Sequence, residues 1–267
     1  MRKKIFVVLL MLSLISMNIA YADDGSRVYT TQINEYEYVK QLKNRTDAEL
    51  KQMGFGEHEI YSLRKLDFKQ AIKERAKLSN EELESLGYNT KQIYELKNFT
   101  GTEDEIKTLS ATLTTYLYVG ASGKSSYYSW LTMRYGFEWS SMPFWLITDS
   151  IALAWSDGMK TNASGSSFTL HYVNPSYNWS PPTQIIPASG VYAKWGVTDE
   201  VMHSWAKSGD GVHAINKYDY VNDVEIILKF GHAVILTSIS VDINGTPSIN
   251  FGVGVQELGY KYLRHYL

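Results

Sequence analysis

The chain has 267 residues, of which 44% are hydrophobic, and a formal net charge of −2 at pH 7. Cysteine is absent, so no disulfide can stabilise the fold and a hydrophobic core must hold it together. Without a basic excess, long-range electrostatics would not draw the chain onto nucleic acid or anionic lipid.

The amino terminus has the pattern of a secretory leader. Arg2-Lys3-Lys4 precedes a nearly continuous apolar run from Ile5 to Ile15, and Ala20-Tyr21-Ala22 places small residues before Asp23. This pattern predicts a signal peptide over residues 1–22, cleaved before Asp23, and the apolar run is too short for a stable membrane span. We therefore expect a secreted, extracellular protein. The lack of cysteine is more typical of a Gram-positive bacterium than of a eukaryotic secretory pathway.

Residues 23–109 are rich in charge and are predicted to form a helical module with an internal duplication. The motif Glu49-Leu50, Gly54, Ile60-Tyr61 recurs 33 residues later as Glu82-Leu83, Gly87, Ile93-Tyr94. Each copy opens with a capping box, Thr46-x-x-Glu49 or Ser79-x-x-Glu82, which satisfies N–H groups of a first helical turn. Each glycine suits the left-handed conformation that ends a short helix. We expect helical hairpins that serve as a spacer or docking module.

Residues 110–267 show the period-two pattern of β-strands. Apolar and polar residues alternate over Leu113–Val119, Leu131–Trp139, Val224–Phe230 and Ile249–Val255. Such alternation predicts antiparallel strands with one buried face, and Asn244-Gly245 predicts a hairpin turn. The predicted fold class is α+β, with N-terminal short helical hairpin repeats followed by an antiparallel β-sandwich. Within the β half, Thr198–Lys207 is predicted to be a helix, since Thr198 can cap it.

No enzymatic signature is present. The sequence contains no His-Glu-x-x-His, no Gly-x-Ser-x-Gly and no phosphate-binding glycine loop. Its six histidines lack the spacing of metal ligands. We therefore predict a non-enzymatic protein with no catalytic residue, no metal site and no cofactor.

Asp149 is a candidate for a carboxylate with a shifted pKa. It falls on the same face as the apolar residues of a strand-like segment, where a carboxylate must be paired, hydrogen-bonded or protonated. We favour the alternative that the strand begins only at Ser150 and that Asp149 lies in a turn or hydrogen-bonds to a loop, because alternation is weakest at the ends of elements. Together with Glu138, Asp149 could supply the acid and nucleophile of a glycoside hydrolase.

Aromatic residues are abundant, with 20 Tyr, 9 Phe and 7 Trp. The candidate binding residues are the aromatics on predicted exposed faces: Tyr116, Tyr118, Tyr128 and Trp130. Amphipathic rings on a weakly charged surface suit sugar stacking, protein binding or contact with a lipid interface. The segment Trp139–Trp145 is also rich in aromatic residues, but its tryptophans are equally suited to the core.

Two segments are similar to a known family. Tyr135–Trp155 (YGFEWSSMPFWLITDSIALAW) and Gly252–Tyr260 (GVGVQELGY) resemble the geobacillin-like large heat-labile bacteriocins, a family of secreted Bacillus-type proteins. The resemblance covers mainly residues 110–267 and brings no catalytic motif. It implies antibacterial action at the envelope of a competing bacterium.

These observations predict a secreted non-enzymatic protein that acts at bacterial cell surfaces and is bacteriocin-like, with the cell envelope or a glycan as its partner. The alternative is a non-toxic surface, biofilm or glycan-binding protein. A cell-wall glycan hydrolase is the third hypothesis. Membrane contact stays open as a variant of the first hypothesis, without a transmembrane helix in the mature chain, and no nucleic acid partner is expected.

Overall fold

A computed structural model of the chain describes residues 16–21, 27–146, 148–173, 184–186, 190–196, 198–199, 204–232, 236–241, 246–251 and 259–267. Within these residues the chain forms seven helices and fourteen strands. The helices occupy residues 35–109, and every strand pair is antiparallel. The fold is therefore α+β with antiparallel sheets, as predicted.

The helices are short, and each begins at a side-chain cap or, for α3, at a glycine. They are α1 (Glu35–Lys43), α2 (Asp47–Gln52), α3 (Glu57–Lys65), α4 (Phe68–Arg75), α5 (Asn80–Ser85), α6 (Thr90–Lys97) and α7 (Glu103–Leu109). Both predicted capping boxes are formed, with Thr46 and Ser79 as the cap residues. Gly54 and Gly87 follow α2 and α5 with φ angles of 91° and 84°, in the region that favours glycine.

The helices are inserted between two neighbouring strands of one sheet. Strand β2 (Arg27–Asn34) pairs with β3 (Thr112–Ser125), and Asn34 lies opposite Thr112. The backbone N–H of Glu35 donates to the carbonyl oxygen of Ala111 at 2.9 Å. The helical segment therefore begins and ends at the same place on the sheet.

Strand β2 corrects the prediction that residues 23–109 are wholly helical. Its β-branched and aromatic residues fit a pleated surface. Its hydrogen-bonding partner, β3, lies far from it in the sequence. Residues Ser16–Tyr21, inside the predicted signal peptide, form strand β1 on the other side of β2. Residues 1–15 lie outside the described part of the chain, and the signal peptide stays a prediction.

The remaining strands build two main sheets. They are β4 (Tyr128–Trp139), β5 (Thr148–Trp155), β6 (Lys160–Tyr172), β7 (Gln184–Ile186), β8 (Gly190–Gly196), β9 (Thr198–Asp199), β10 (Ser204–Lys217), β11 (Asp223–His232), β12 (Leu236–Val241), β13 (Pro247–Phe251) and β14 (Gly259–Tyr266). The larger sheet has the order β1-β2-β3-β4-β10-β6, with β9 paired to β10, and the smaller has the order β14-β11-β5-β8-β7. Strands β12 and β13 pair separately, and the predicted turn Asn244-Gly245 between them lies outside the described residues.

The two main sheets pack face to face through aromatic side chains. Phe137 of β4 lies with its ring centroid 5.0 Å from those of Trp195 on β8 and Phe230 on β11. Every second residue of β4 from Leu131 to Trp139 faces inward, and all of these residues are buried. The alternation in the sequence thus identified the buried face of this strand correctly.

The helix predicted over Thr198–Lys207 is wrong. Residues 198–199 form β9, β10 begins at Ser204, and residues 200–203 lie outside the described part of the chain. Trp205 is fully buried, and its ring lies beneath the turn at Gly87, where an added Cβ would be 3.2 Å from Cζ2 of the indole. Tertiary burial of this tryptophan outweighs the local capping signal.

The loop that joins β4 to β5 fastens the helices to the sheets. Arg75 of α4 donates to the carbonyl oxygens of Met142 and Pro143 at 2.6 and 2.8 Å. The indole N–H of Trp145 donates to the hydroxyl of Ser62 on α3 at 2.9 Å. These contacts place the aromatic segment Trp139–Trp145 between the helices and the sheets.

Candidate functional site

The four aromatic residues singled out from the sequence lie on one surface, the outer face of the larger sheet. Opposed residues of paired strands share a face: Tyr116 lies opposite Gly136, Tyr118 opposite Arg134, Gly123 opposite Trp130 and Ser125 opposite Tyr128. We call Tyr116, Tyr118, Tyr128 and Trp130 the outer-face stripe. Trp130 is exposed, whereas the three tyrosines are half-buried because they lean on their neighbours.

Tyr116 leans across β4 because the residue opposite it has no side chain. A Cβ at Gly136 would lie 2.6 Å from Cζ of Tyr116 and would also collide with the carbonyl oxygen of Gly209. The phenol therefore takes the place of a side chain at position 136 and points toward β10, where Asp210 pairs with Gly136. Burial raises the pKa of Tyr116, and the charge of Asp210 raises it further. The hydroxyl group is thus neutral at physiological pH and can both donate and accept hydrogen bonds.

Charged side chains surround the phenol of Tyr116. Asp210 hydrogen-bonds to His171 of β6. The guanidinium carbon of Arg134 lies 5.9 Å from the ring centroid of Tyr118. Glu138 follows Gly136 on the outward face of β4, and its side chain is exposed, as are those of Asp210 and Arg134. The group combines an aromatic surface with hydrogen-bond donors and acceptors of nearly balanced charge.

Trp130 lies on a glycine at the other end of the stripe. A Cβ at Gly123 would lie 2.7 Å from the indole nitrogen and 3.1 Å from Cε2. Two of the four stripe rings therefore pack against glycines on the neighbouring strand: Tyr116 against Gly136 and Trp130 against Gly123. Aromatic rings held in this way are partly ordered before any ligand arrives.

Exposed tyrosines that the sequence analysis missed extend this end of the stripe. Tyr127, Tyr218 and Tyr220 are exposed by 52–87%, and the ring of Tyr218 lies 5.4 Å from that of Tyr128. Tyr218 and Tyr220 lie in the loop between β10 and β11. The polar sequence of that loop, just before the predicted strand Val224–Phe230, was the signal that could have identified them.

Asp149 does not belong to this surface. It lies on β5, which begins at Thr148, and is fully buried, so the favoured prediction that the strand begins only at Ser150 is wrong. Its Oδ1 is 2.5 Å from Nδ1 of His232, and its Oδ2 accepts from the indole N–H of Trp139 at 3.4 Å. Nε2 of His232 donates to the carbonyl oxygen of Trp145 at 3.1 Å, which leaves Nδ1 facing the carboxylate of Asp149. Burial raises the pKa of Asp149, while the charge of His232 opposes the increase.

The structure separates the two carboxylates of the glycan-hydrolase hypothesis. Glu138 is exposed on the outer face of the larger sheet, whereas Asp149 is buried in the smaller sheet. A glycosidase needs both carboxyl groups beside the same substrate bond. We therefore do not propose that chemistry for this pair.

Glu35 is a second buried carboxylate, which the sequence analysis missed. Its Oε1 accepts from the backbone N–H groups of Phe144 and Trp145, both at 2.7 Å. Its Oε2 is buried without a hydrogen-bond partner among the described residues, and burial raises its pKa. The spacing of Glu35 from Tyr38, Val39 and Leu42 placed it on the buried face of α1 and could have identified it.

A groove of about 580 Å³ lies between α1, α3 and α4 and is lined by several basic side chains. Lys43 donates to the carbonyl oxygen of Leu66, and Arg64 donates to that of Lys43 at 2.7 Å and also binds Asp47. These cations satisfy carbonyl groups at helix ends, which accounts for their position without a ligand. Within the described ranges, no group of three or more His, Asp or Glu side chains is arranged to hold a metal ion. No described helix has the length and apolar character needed to cross a bilayer.

No family model matches the chain, and no curated protein matches it. Similar solved structures include the collagen-binding domain of a Staphylococcus aureus adhesin, with 7% identity and a TM-score of 0.31 over 57% of this chain and 95% of that one. The pilus backbone RrgB of Streptococcus pneumoniae has 10% identity and a TM-score of 0.27 over 52% of this chain and 39% of its own. The Clostridium perfringens NetB toxin in its membrane-inserted form has 9% identity and a TM-score of 0.22 over 58% and 89%. Likenesses with TM-scores this low carry no argument about fold or function.

Proposed function

We propose that the chain is a secreted, non-enzymatic protein that acts at bacterial cell surfaces and binds there through the outer-face stripe. The observation that supports the proposal is the alignment of four amphipathic rings on one solvent-facing surface, two of them lodged against Gly123 and Gly136. Rings that are already ordered lose less conformational freedom on binding, so more of their contact energy appears as affinity. The proposed partner is the bacterial cell envelope or a glycan within it.

Secretion is supported by the leader pattern of residues 1–22. A protein that is released from the cell meets envelope polymers of its own and neighbouring bacteria. An aromatic surface with few net charges suits such uncharged or mixed-charge polymers better than it suits nucleic acid.

An antibacterial, bacteriocin-like role is the more specific form of the proposal. It is supported by the resemblance of Tyr135–Trp155 and Gly252–Tyr260 to the geobacillin-like family. In that role the stripe would recognise the envelope. The helices, which contact the β4–β5 loop, would serve as a docking segment, as a segment that masks the protein from immunity, or as a segment that is removed by processing. The alternative, attachment to surfaces or biofilm without toxicity, uses the same stripe.

The test is to incubate the purified full chain with a panel of Gram-positive strains. Cosedimentation measures binding, and colony counts over time measure killing. We expect binding that Trp130→Ala and Tyr118→Ala weaken, while Tyr94→Ala, which removes an exposed tyrosine from α6, leaves it unchanged.

The outcomes separate the hypotheses. Binding with loss of viable cells supports the antibacterial role, and binding without killing supports the attachment role. If no strain binds the chain, or if Tyr94→Ala weakens binding as much as the stripe variants do, the proposal is wrong.

A further inference from the structure

We propose that Tyr116, Asp210, Glu138 and Arg134 form a subsite for one neutral sugar residue of an extended glycan, an inference that rests on the proposed binding role of the outer-face stripe. Gly136 is the structural basis of the subsite. Because it has no side chain, the phenol of Tyr116 leans over β4 and presents ring surface within the sheet face.

The polar groups around the ring have the variety that a sugar requires. A sugar offers apolar C–H faces that stack on aromatic rings and hydroxyl groups that both donate and accept hydrogen bonds. Carboxylates only accept, and a guanidinium only donates. Asp210, Glu138 and Arg134 all act electrostatically on the phenol of Tyr116, so both kinds of group lie around one ring.

The charges of the subsite favour a neutral ligand. The exposed carboxylates of Asp210 and Glu138 and the cation of Arg134 lie around the same phenol, and Asp210 is also hydrogen-bonded to His171. An acidic polymer would meet the carboxylates of Asp210 and Glu138 at the cost of like-charge repulsion. A neutral polyol can use all three groups as hydrogen-bond partners.

The stripe favours a chain of sugars over a single sugar. Trp130 lies on the same face of β4 as Gly136, six positions away, which corresponds to about 20 Å along a strand. Tyr118 lies beside Arg134 between these two ends. A linear glycan that follows β4 would therefore contact several rings in succession.

The experiment measures binding of defined neutral tetrasaccharides of glucose, N-acetylglucosamine, galactose and mannose to the full chain by calorimetry. Tetragalacturonate is the acidic comparison. We expect at least one neutral tetrasaccharide to bind, and we expect Tyr116→Ala to weaken it by about tenfold because the stacking surface is lost. Tyr116→Phe keeps the ring face, so its loss should be about threefold or less.

Asp210→Asn provides a second variant that does not depend on a half-buried ring. Asp210 is exposed, so the variant should fold, and we expect several-fold weaker binding; Tyr94→Ala on α6 is the matched control. The subsite is overturned if no neutral tetrasaccharide binds at millimolar concentration, if tetragalacturonate binds more tightly than all of them, or if Asp210→Asn and Tyr116→Ala bind like the unmodified chain.

Failure of the subsite and failure of the proposed function are distinguishable. Cells that still bind the chain through Trp130 and Tyr118, with no oligosaccharide bound, would refute the subsite and leave the surface-binding role intact. Oligosaccharide binding without attachment to any cell would refute the cell-surface role alone.

Discussion

Glu35 and Trp145 connect the helices to the sheets through one buried hydrogen bond. Oε1 of Glu35, the first residue of α1, accepts from the backbone N–H of Trp145 at 2.7 Å, and both residues are nearly inaccessible to solvent. The same oxygen accepts from the N–H of Phe144. The carboxylate therefore fixes the loop between β4 and β5 against the point where the helical segment begins.

Glu35→Ala should destabilise the fold by about 2–4 kcal/mol, because it leaves two buried N–H groups without an acceptor. Glu35→Gln keeps an oxygen for both donors and should cost much less. Urea denaturation at pH 7 measures the difference between the two variants. Equal losses for alanine and glutamine would show that the oxygen is not what holds the loop.

The pH dependence of stability provides a separate test of Glu35. Burial raises its pKa above the ordinary value of 4.5, so the unfolded chain loses this proton first as the pH rises. The stability contributed by Glu35 is therefore present below pH 4.5 and is lost as the pH rises through the folded pKa. Glu35→Gln should show a smaller decrease in unfolding free energy over this range than the unmodified chain, and an identical decrease would contradict the assignment.

His213 should produce the opposite slope. It is buried on β10 with its ring 4.9 Å from that of Trp155, and burial lowers its pKa to about 4. Below its ordinary value of 6.5 the unfolded chain takes up a proton that the folded chain refuses, so stability is lost as the pH falls from 6.5 toward 4. The loss should reach about 3 kcal/mol. Unfolding curves of His213→Phe, which keeps a ring against Trp155, should lack this part of the slope.

Gly136→Ala should disturb the stripe where Gly120→Ala does not. A Cβ at position 136 would collide with the ring of Tyr116 and with the carbonyl oxygen of Gly209, whereas one at position 120 would have its nearest neighbour at 3.7 Å. We expect about 1–3 kcal/mol of destabilisation for Gly136→Ala and a much smaller change for Gly120→Ala. Thermal unfolding measures both, and equal melting temperatures would show that the ring does not occupy that place.

Arg75→Ala should loosen the same loop from the side of α4. Arg75 donates to two loop carbonyl oxygens and to the hydroxyl of Tyr88, so its removal leaves several part-buried acceptors unsatisfied. We expect about 2–3 kcal/mol of destabilisation. Lys73→Ala, an exposed position on the same helix, is the control and should change the unfolding free energy by less than about 0.5 kcal/mol.

Local signals in the sequence predicted the parts of the fold that are decided locally. The capping boxes at Thr46 and Ser79 form because their partners are three residues away, and the alternation of β4 identifies its buried face because a strand has a period of two. Strand β2 escaped prediction because its partner β3 lies beyond all seven helices of the described chain. The helix prediction around Trp205 was wrong for a similar reason, since this tryptophan packs against the turn at Gly87, which lies far away in the sequence.

The sequence predicts which residues belong to the outer-face stripe, but it does not predict how their rings are arranged. Alternation places Tyr116, Tyr118, Tyr128 and Trp130 on one side of their strands. Which ring meets a glycine depends on the register of β3 against β4, including the irregularity between Val119 and Ala121, and no local pattern specifies that register. The contact between Glu35 and the β4–β5 loop likewise requires three elements to be in place at once.

The insertion of the helices between β2 and β3 has a consequence for how the chain folds. Closing a long loop costs entropy before the strands at its ends can pair, and this slows folding. Once the helices have packed, Glu35 and Ala111 lie side by side, because the backbone N–H of Glu35 donates to the carbonyl oxygen of Ala111. A helical segment that packs before the strands pair would act as a loop that is closed in advance, and β2 and β3 would then pair at a lower cost in chain entropy.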